Sequence, residues 1–263
     1  MAREALKNVL RLIESTKDEL PIEKAFLEDL KRSIELDDRK NARKPSATYK
    51  PSSMNCIRNM YYQVTDTEQD EGYNPYAMVG ICNSGSDIHE RIQKAVANMK
   101  DNDMDCEYCD VAEYVRSRGL EDKIEIVSQQ GMETKLYHKD LNMSFLCDGI
   151  IRYHGHYYIL ELKTESSYKF VSRKGVDPYH YNQGTAYSIA FGIDEVIFVY
   201  ISRDVLDMKS YMFVPTSEMK QDLIGRIDTC NRYVALGQVP PIPENINRKA
   251  CTFCSYKSKC GNA

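Results

Sequence analysis

Residues 148–163, DGIIRYHGHYYILELK, set an aspartate at one end of an apolar, tyrosine-rich stretch and Glu-Leu-Lys at the other. The central His154-Gly155 pair suits a two-residue hairpin turn, because Gly takes a positive φ at little cost. Counting outward from that turn pairs Tyr153 with His156, Ile151 with Tyr158, Ile150 with Ile159, Gly149 with Leu160 and Asp148 with Glu161. Opposed residues on antiparallel strands hold their Cβ atoms about 4.5–5.5 Å apart. Two carboxylates that close repel each other unless a positive charge stands between them. Strand alternation puts Lys163 on the same face as Glu161, with Leu160 and Leu162 on the other. Two acids and a lysine therefore converge, a donor set for a hard divalent cation. Mg²⁺ or Mn²⁺ is bound by one or two carboxylates plus water, and the backbone carbonyl of Leu162 can join them. A cation so held acidifies water and neutralises phosphate. Lys163 then orients the nucleophile or stabilises the charge of a pentavalent phosphorane.

The apolar run YYIL before Glu161 means a largely buried strand, where an unpaired carboxylate costs several kcal/mol unless it is neutralised or coordinated. That argues against the plain alternative, acids on a solvated strand face.

The second chemical signal is the tail CTFCSYKSKC, which spaces Cys251, Cys254 and Cys260 by two and then five residues. Three thiols on a segment too short for its own core call for a fourth ligand. One arrangement pairs Cys251 and Cys254 with Cys106 and Cys109 of CEYC, as in a zinc ribbon. The other adds Cys56, from SMNCIRNMYY. Cys82, Cys147 and Cys230 read as buried small hydrophobes.

Asp148 with Glu161-Leu-Lys163 resembles the signature of the PD-(D/E)XK nuclease superfamily, although Cys147 stands where the name of the superfamily has Pro. Gly85 and His89 match the Gly-x-x-x-His helix of its RecB-like branch. Gln183 and Tyr187, four apart on one helix face, match the Gln-x-x-x-Tyr of that branch. The resemblance implies that His89 is a metal ligand beside Asp148 and Glu161. It also implies that Gln183 and Tyr187 lie beside the active site and contact DNA. Cys56, followed by Arg58, Tyr61 and Tyr62, and the tail spacing are similar to the iron–sulfur exonucleases, the CRISPR-associated RecB-like nucleases and AddB-type subunits. In those proteins one cysteine precedes the nuclease core and three follow it. This favours a 4Fe-4S cluster on Cys56, Cys251, Cys254 and Cys260 over structural Zn²⁺, and such a cluster would staple the ends of the core together. The resemblance spans roughly residues 50–262.

The elements that must position these residues follow from periodicity. Leu6, Val9, Leu10 and Ile13, then Ile22, Phe26, Leu30 and Ile34, predict two helices forming a hairpin, the second with Pro21 in its first turn. Residues 39–50 carry five bases and no acid and read as a linker. Ser52 or Ser53 is placed to cap the next helix, and residues 84–99 form another, with Ser84 and Asp87 at capping-box spacing. Strands are expected over 124–137, 143–153 and 156–164. Asp177, Pro178 and Gly192 bound a helix. EVIFVYIS and KSYMFVP are strands, and a long helix runs from Thr216 to about Leu236. The fold class expected is α/β, a mixed central sheet flanked by helices as in restriction endonucleases. The chain would divide into a helical extension and linker (1–50) and a nuclease domain (51–263), with one strand–helix–strand crossover over 157–201.

Composition permits this reading. The 263 residues, 42% hydrophobic and 28% charged, can bury a full core. No run is apolar enough to span a membrane and the first residues lack a signal-peptide core. The expected location is therefore cytoplasmic, where cysteines are thiols or metal ligands rather than disulfides. The net charge of −4 is segregated, with acidic DTEQDE and DNDMDCEYCD against the basic linker. Lys169, Arg173 and Lys174 just past the active strand, and Lys249, Lys257 and Lys259 in the tail, could hold a DNA backbone without reading sequence. The function expected is a metal-dependent DNA exonuclease acting on single-stranded or end-opened DNA. The rival expectations are a structure-selective or nicking endonuclease and a non-catalytic DNA-binding or assembly module.

Overall fold

The computed structural model describes residues 21–41, 46–70, 75–130, 132–244, 246, 248–252 and 254–261, with the side chains of Gln130 and Lys249 excepted. The chain divides into two compact units. The smaller, among described residues, holds 21–41 and 75–81. It contains α1 (Ile22–Lys40) and the start of α3 (Tyr76–Ala97). Pro21 takes the N-cap position rather than the first turn. The helix expected over 3–15 lies outside the described residues.

The larger unit begins with a 3₁₀ turn (Pro51–Ser53) and α2 (Ile57–Val64), with Cys56 in the N-cap position instead of Ser52 or Ser53. The 82–97 part of α3 follows. Ser84 and Asp87 are interior to this helix, which starts at Tyr76, before the stretch expected from the pattern. Next come β1 (Cys106–Cys109), α4 (Val111–Ser117), β2 (Ile124–Gln130), β3 (Glu133–His138), β4 (Met143–Cys147), β5 (Gly149–Tyr153) and β6 (His156–Glu165). Then α5 (Ser167–Ser172), a 3₁₀ turn (Pro178–His180) and α6 (Tyr181–Phe191) lead to β7 (Val196–Ser202) and β8 (Met208–Phe213). The chain closes with α7 (Ser217–Ala235), α8 (Arg248–Cys251) and α9 (Lys257–Cys260).

The main sheet has the order β1-β5-β6-β7-β8. Only β6 and β7 run parallel within it, as a crossover through α5 and α6 requires. The fold is the expected mixed sheet flanked by helices. A second, three-stranded antiparallel sheet has the order β2-β3-β4.

Two expected strands are in fact four. The stretch 124–137 bends back on itself as the β2–β3 hairpin, and 143–153 breaks at Asp148. The segment before the break belongs to the small sheet and the segment after it to the large one. The break matters for function, because it sets Asp148 at the seam between two sheets.

The hairpin that follows keeps the register counted from its turn. Tyr153 pairs with His156, Ile150 with Ile159 and Gly149 with Leu160. His154 and Gly155 both take positive φ, 48° and 81°, the signature of a type I′ turn whose twist matches the strands. Both faces of the sheet are covered. Leu160 and Leu162 cluster with Ile88 of α3 and Ile201 of β7. Ile159 belongs to the larger core with Ile150, Phe198, Tyr200, Ala186 and Tyr187.

Close packing of α6 on the sheet depends on Gly184, where a Cβ would lie 2.9 Å from the Phe213 ring and 3.2 Å from that of Phe198. Gly192 ends this helix in the left-handed conformation, φ 67°, as its position in the sequence predicts. Thr216 caps α7 by accepting from the Met219 amide at 3.1 Å. Among the described residues no helix is long and apolar enough to cross a membrane.

Candidate active site

Asp148 is fixed from three directions. Its backbone carbonyl accepts from Gln93 Nε2 and from the Tyr108 hydroxyl, both at 2.7 Å. Its carboxylate accepts the Leu162 amide at 2.7 Å on Oδ2, and Oδ1 stands 3.1 Å from His89 Nδ1. His89 and Gln93 are four residues apart on α3, hence on one face. One helix thus reaches the side chain and the main chain of the same aspartate. Gly85, one turn before His89, brings that helix against β6, since a Cβ there would lie 3.2 Å from Thr164 Oγ1. Gly149 is required by Tyr108, whose ring would stand 2.7 Å from an added Cβ.

Glu161 is almost wholly buried, 2% exposed. Lys163 Nζ donates to its Oε1 at 2.5 Å and Gln183 Nε2 to the same oxygen at 2.7 Å. Gln183 Oε1 also accepts from Lys163 at 3.0 Å, closing a triangle among the three side chains. The other oxygen, Glu161 Oε2, is buried without any hydrogen-bond partner. Burial, with a smaller push from Asp148, raises the Glu161 carboxyl to about 7 against the opposing charge of Lys163. At His89 burial works against a charged imidazole. The hydrogen bond to Asp148 and the charges of Asp148 and Glu161 outweigh it and raise the pKa.

An orphaned carboxylate oxygen next to a second carboxylate is a place that a cation would stabilise. Among the described residues no three His, Cys, Asp or Glu side chains close on a common point as they stand, since Asp148 faces His89 and the Leu162 amide while Glu161 turns one oxygen to Lys163. The donor set nonetheless fits a hard divalent ion. His89, Asp148 and Glu161 are gathered, and Leu162, between Glu161 and Lys163 on β6, gives its amide to Asp148.

Two residues expected to contact DNA are engaged within the protein. Tyr187 is buried, and its hydroxyl donates to the Leu146 carbonyl at 2.7 Å and accepts from Gln183 at 3.0 Å. Its hydroxyl thus links Gln183 to the main chain of β4. Arg173 is likewise not offered to a ligand. It forms a two-pronged pair with Glu165, at 2.7 and 2.6 Å, and lies 3.8 Å from the centroid of the Tyr200 ring. Both side chains of that pair are 6% exposed. Removing one member of a buried pair strands the other charge, at about 3–5 kcal/mol. Arg173→Ala is therefore expected to lower the unfolding midpoint in urea far more than it alters DNA affinity. Chemical denaturation beside a binding titration separates the two effects. Lys169 pairs with Asp177 at 2.8 Å, and Lys174 is exposed.

Gln93 and Tyr108 were not singled out in the sequence. The four-residue spacing of Gln93 from His89 is a signal that could have found it; Tyr108, inside CEYC, carries none. Residues that orient metal ligands commonly shift metal affinity by about 10–100-fold when removed. Gln93→Leu should weaken Mn²⁺ binding by about ten-fold, measured by calorimetric titration, with the far-ultraviolet circular dichroism unchanged.

The C-terminal thiols meet the N-terminal part of the same unit. Cys56, Cys251, Cys254 and Cys260 all border one cavity of about 710 Å³, together with Arg58, Asn59, Tyr62 and Lys257. Asn59 Nδ2 donates to Cys254 Sγ at 3.5 Å. Burial raises the Cys260 thiol, Arg58 lowers it, and the other three cysteines raise it further. Arg58 Nε and Asn59 Oδ1 in this wall are buried without partners. The four thiols border the cavity without closing on a common point as they stand. Cys106 and Cys109 do not border this cavity. They sit on β1, paired with Tyr153 and Ile150 at the sheet edge. Cys147 and Cys230 are buried as expected, whereas Cys82 is exposed on α3. Lys259 lies 3.8 Å from Glu68, and the Lys249 side chain is outside the described residues.

No protein-family model matches the chain, and no curated protein matches it. Solved structures do. The crystal structure of SSO0001 aligns over 92% of this chain and 98% of its own, at 18% identity and a TM-score of 0.44. An alkaline exonuclease, LHK-Exo from Laribacter hongkongensis, aligns over 80% of this chain and 96% of its own, at 12% identity and a TM-score of 0.39. The same enzyme in complex with dAMP aligns over 79% and 95%, at 10% identity and a TM-score of 0.39.

Proposed function

We propose that the protein is a metal-dependent deoxyribonuclease that removes nucleotides from single-stranded or end-opened DNA. The observation that carries this reading is the unpartnered, buried Oε2 of Glu161 beside Asp148, with Lys163 alongside. His89, Asp148, Glu161 and the Leu162 carbonyl would hold a divalent cation, which when bound would supply charge to neutralise a phosphate and acidify a water. The protein side of the chemistry belongs to Lys163. Its ammonium orients the incoming water and donates to the phosphate oxygens as negative charge gathers on them. The water oxygen bonds to phosphorus as the water gives up a proton to solvent, and the bond to the leaving sugar oxygen breaks as that oxygen takes a proton from solvent. Gln183 keeps the Glu161 carboxylate and the Lys163 ammonium in register, and Tyr187 keeps Gln183 in place.

We further propose that Cys56, Cys251, Cys254 and Cys260 hold a 4Fe-4S cluster, supported by their shared cavity and all-thiol donor set. Structural zinc is the alternative ligand for the same thiols. The cluster fastens the start of α2 to the C-terminal helices α8 and α9. Contacts between those parts already point the same way. The Tyr62 hydroxyl donates to the Lys259 carbonyl at 3.0 Å, the Tyr62 and Tyr256 rings lie 5.3 Å apart, and Asp70 accepts from the Ser258 amide at 2.8 Å.

Metal dependence tests the nuclease reading. Chelator-treated protein should leave a single-stranded oligonucleotide intact and regain cleavage with Mn²⁺ or Mg²⁺. Equal cleavage with chelator present would remove the basis of the proposal.

A further inference from the structure

We infer that Tyr168 on α5 is a stacking platform for a base of an unpaired DNA strand entering the site. This rests on the nuclease reading and names the substrate feature that the site selects. Tyr168 is 91% exposed, more than any other large apolar side chain among the described residues, and Val171 is 77% exposed. The two are three residues apart and share one face of the helix. Single exposed apolar residues are ordinary on protein surfaces. What distinguishes this pair is that the helix beneath it is fastened on every other side.

At its start the Ser167 amide donates to Asp204 at 2.8 Å, the Ser167 and Ser202 hydroxyls meet at 3.0 Å, and Ser166 caps the Lys169 amide. At its end Lys209 Nζ donates to the Phe170 carbonyl at 2.8 Å and lies 4.6 Å from the Phe170 ring, which is itself buried. A six-residue helix so held presents an aromatic ring in a fixed place, at little entropic cost to a ligand that stacks on it.

Position and charge identify the occupant. The helix leaves directly from the strand that carries Glu161 and Lys163. Lys163 and Lys169 stand six residues apart, on either side of the junction between β6 and α5. Lys169 and the exposed Lys174 follow Tyr168 closely in the chain. Asp177 partly offsets Lys169 and Glu161 holds Lys163, which leaves the exposed Lys174 as the cation here for a phosphate beyond the reacting one. A ring beside positive charge is what an unpaired strand requires, because every base has a face to stack and phosphates follow the lysines. A paired duplex hides its base faces and gains nothing from the ring.

The test compares two ligands in the non-cleaving Asp148→Asn background of the full chain. These are a short oligothymidylate and an abasic sugar–phosphate strand of equal length, both followed by fluorescence anisotropy. Tyr168→Ala should weaken oligothymidylate binding by about 5- to 100-fold and leave binding of the abasic strand unchanged. Tyr168→Trp should restore or strengthen the former. The ring is exposed, so the melting temperature should not move and folding does not confound the result. Unchanged affinity in Tyr168→Ala, or equal loss on both strands, overturns the stacking role while the nuclease reading stands. A protein that binds neither strand before the Tyr168 change overturns both.

Discussion

Asp148→Asn protein should bind single-stranded DNA as well as the unaltered protein or better, and should cut it at least about a thousand-fold more slowly. The asparagine is nearly the same size, and its amide oxygen can still accept the Leu162 amide and leave the NH₂ toward His89. The supports on the main chain, Gln93 and Tyr108, do not involve the side chain at all. The fold should therefore survive, and the change isolates one negative charge. Losing that charge removes a ligand for the cation and also removes repulsion toward phosphate, so turnover and affinity move in opposite directions. Mn²⁺ affinity, measured by calorimetry on the same protein without DNA, should fall in parallel. If Asp148→Asn cuts at the original rate, the site has been misplaced. Lys163→Ala should also lose most turnover but retain Mn²⁺, because its charge acts on the substrate rather than as a ligand.

Cys56→Ala should bleach the protein and lower its melting temperature, by about 10 °C or more. Cys56 and Cys251 are roughly two hundred residues apart, and closing a loop of that length is worth on the order of 5 kcal/mol in chain entropy. The Tyr62, Tyr256 and Asp70 contacts already bring the two ends together, so part of that gain is not the cluster's alone. Anaerobically purified protein should be brown, with broad visible absorbance, and Cys106→Ala or Cys109→Ala should leave the colour intact. Colourless protein holding stoichiometric zinc would replace the cluster with the alternative ligand. The candidate site would be unaffected, because Asp148, Glu161 and Lys163 are held by none of these thiols.

The hairpin from Asp148 to Lys163 was legible in the sequence because a two-residue turn fixes register rigidly. Once His154-Gly155 is the loop, the opposition of Gly149 and Leu160 follows, and the ladder ends there, with Asp148 and Glu161 as the next residue on each side. The helix Tyr181–Phe191 was legible for a similar reason, since Asp177 and Gly192 mark its approach and its end. The break at Asp148 was not, because one aspartate between two apolar runs carries no turn residue. It is made by partners distant in sequence, Gln93, Tyr108 and Leu162. Residues 100–120 were not assigned to elements, since their acidic, irregular composition hides β1 and α4. Helix α3 starts earlier than its pattern suggests because Gly80 interrupts the apolar repeat without breaking the helix. Arg173 looked like a free cation only because Glu165, eight residues before it, could not be recognised as its buried partner. The same holds for Tyr187, whose motif neighbour Gln183 was visible but whose acceptor, the Leu146 carbonyl, was not.

The central claim is that Asp148, Glu161 and Lys163 form a metal-dependent site for cutting DNA from an end. Incubating the purified full chain with linear and circular single-stranded DNA of the same sequence, in Mn²⁺, tests it most directly. The account predicts that the linear strand is degraded to short products, the circle persists, and Asp148→Asn protein prepared in parallel cuts neither. Circles consumed as fast as linear strands would contradict end-dependence. Degradation that is undiminished in Asp148→Asn would contradict the site itself.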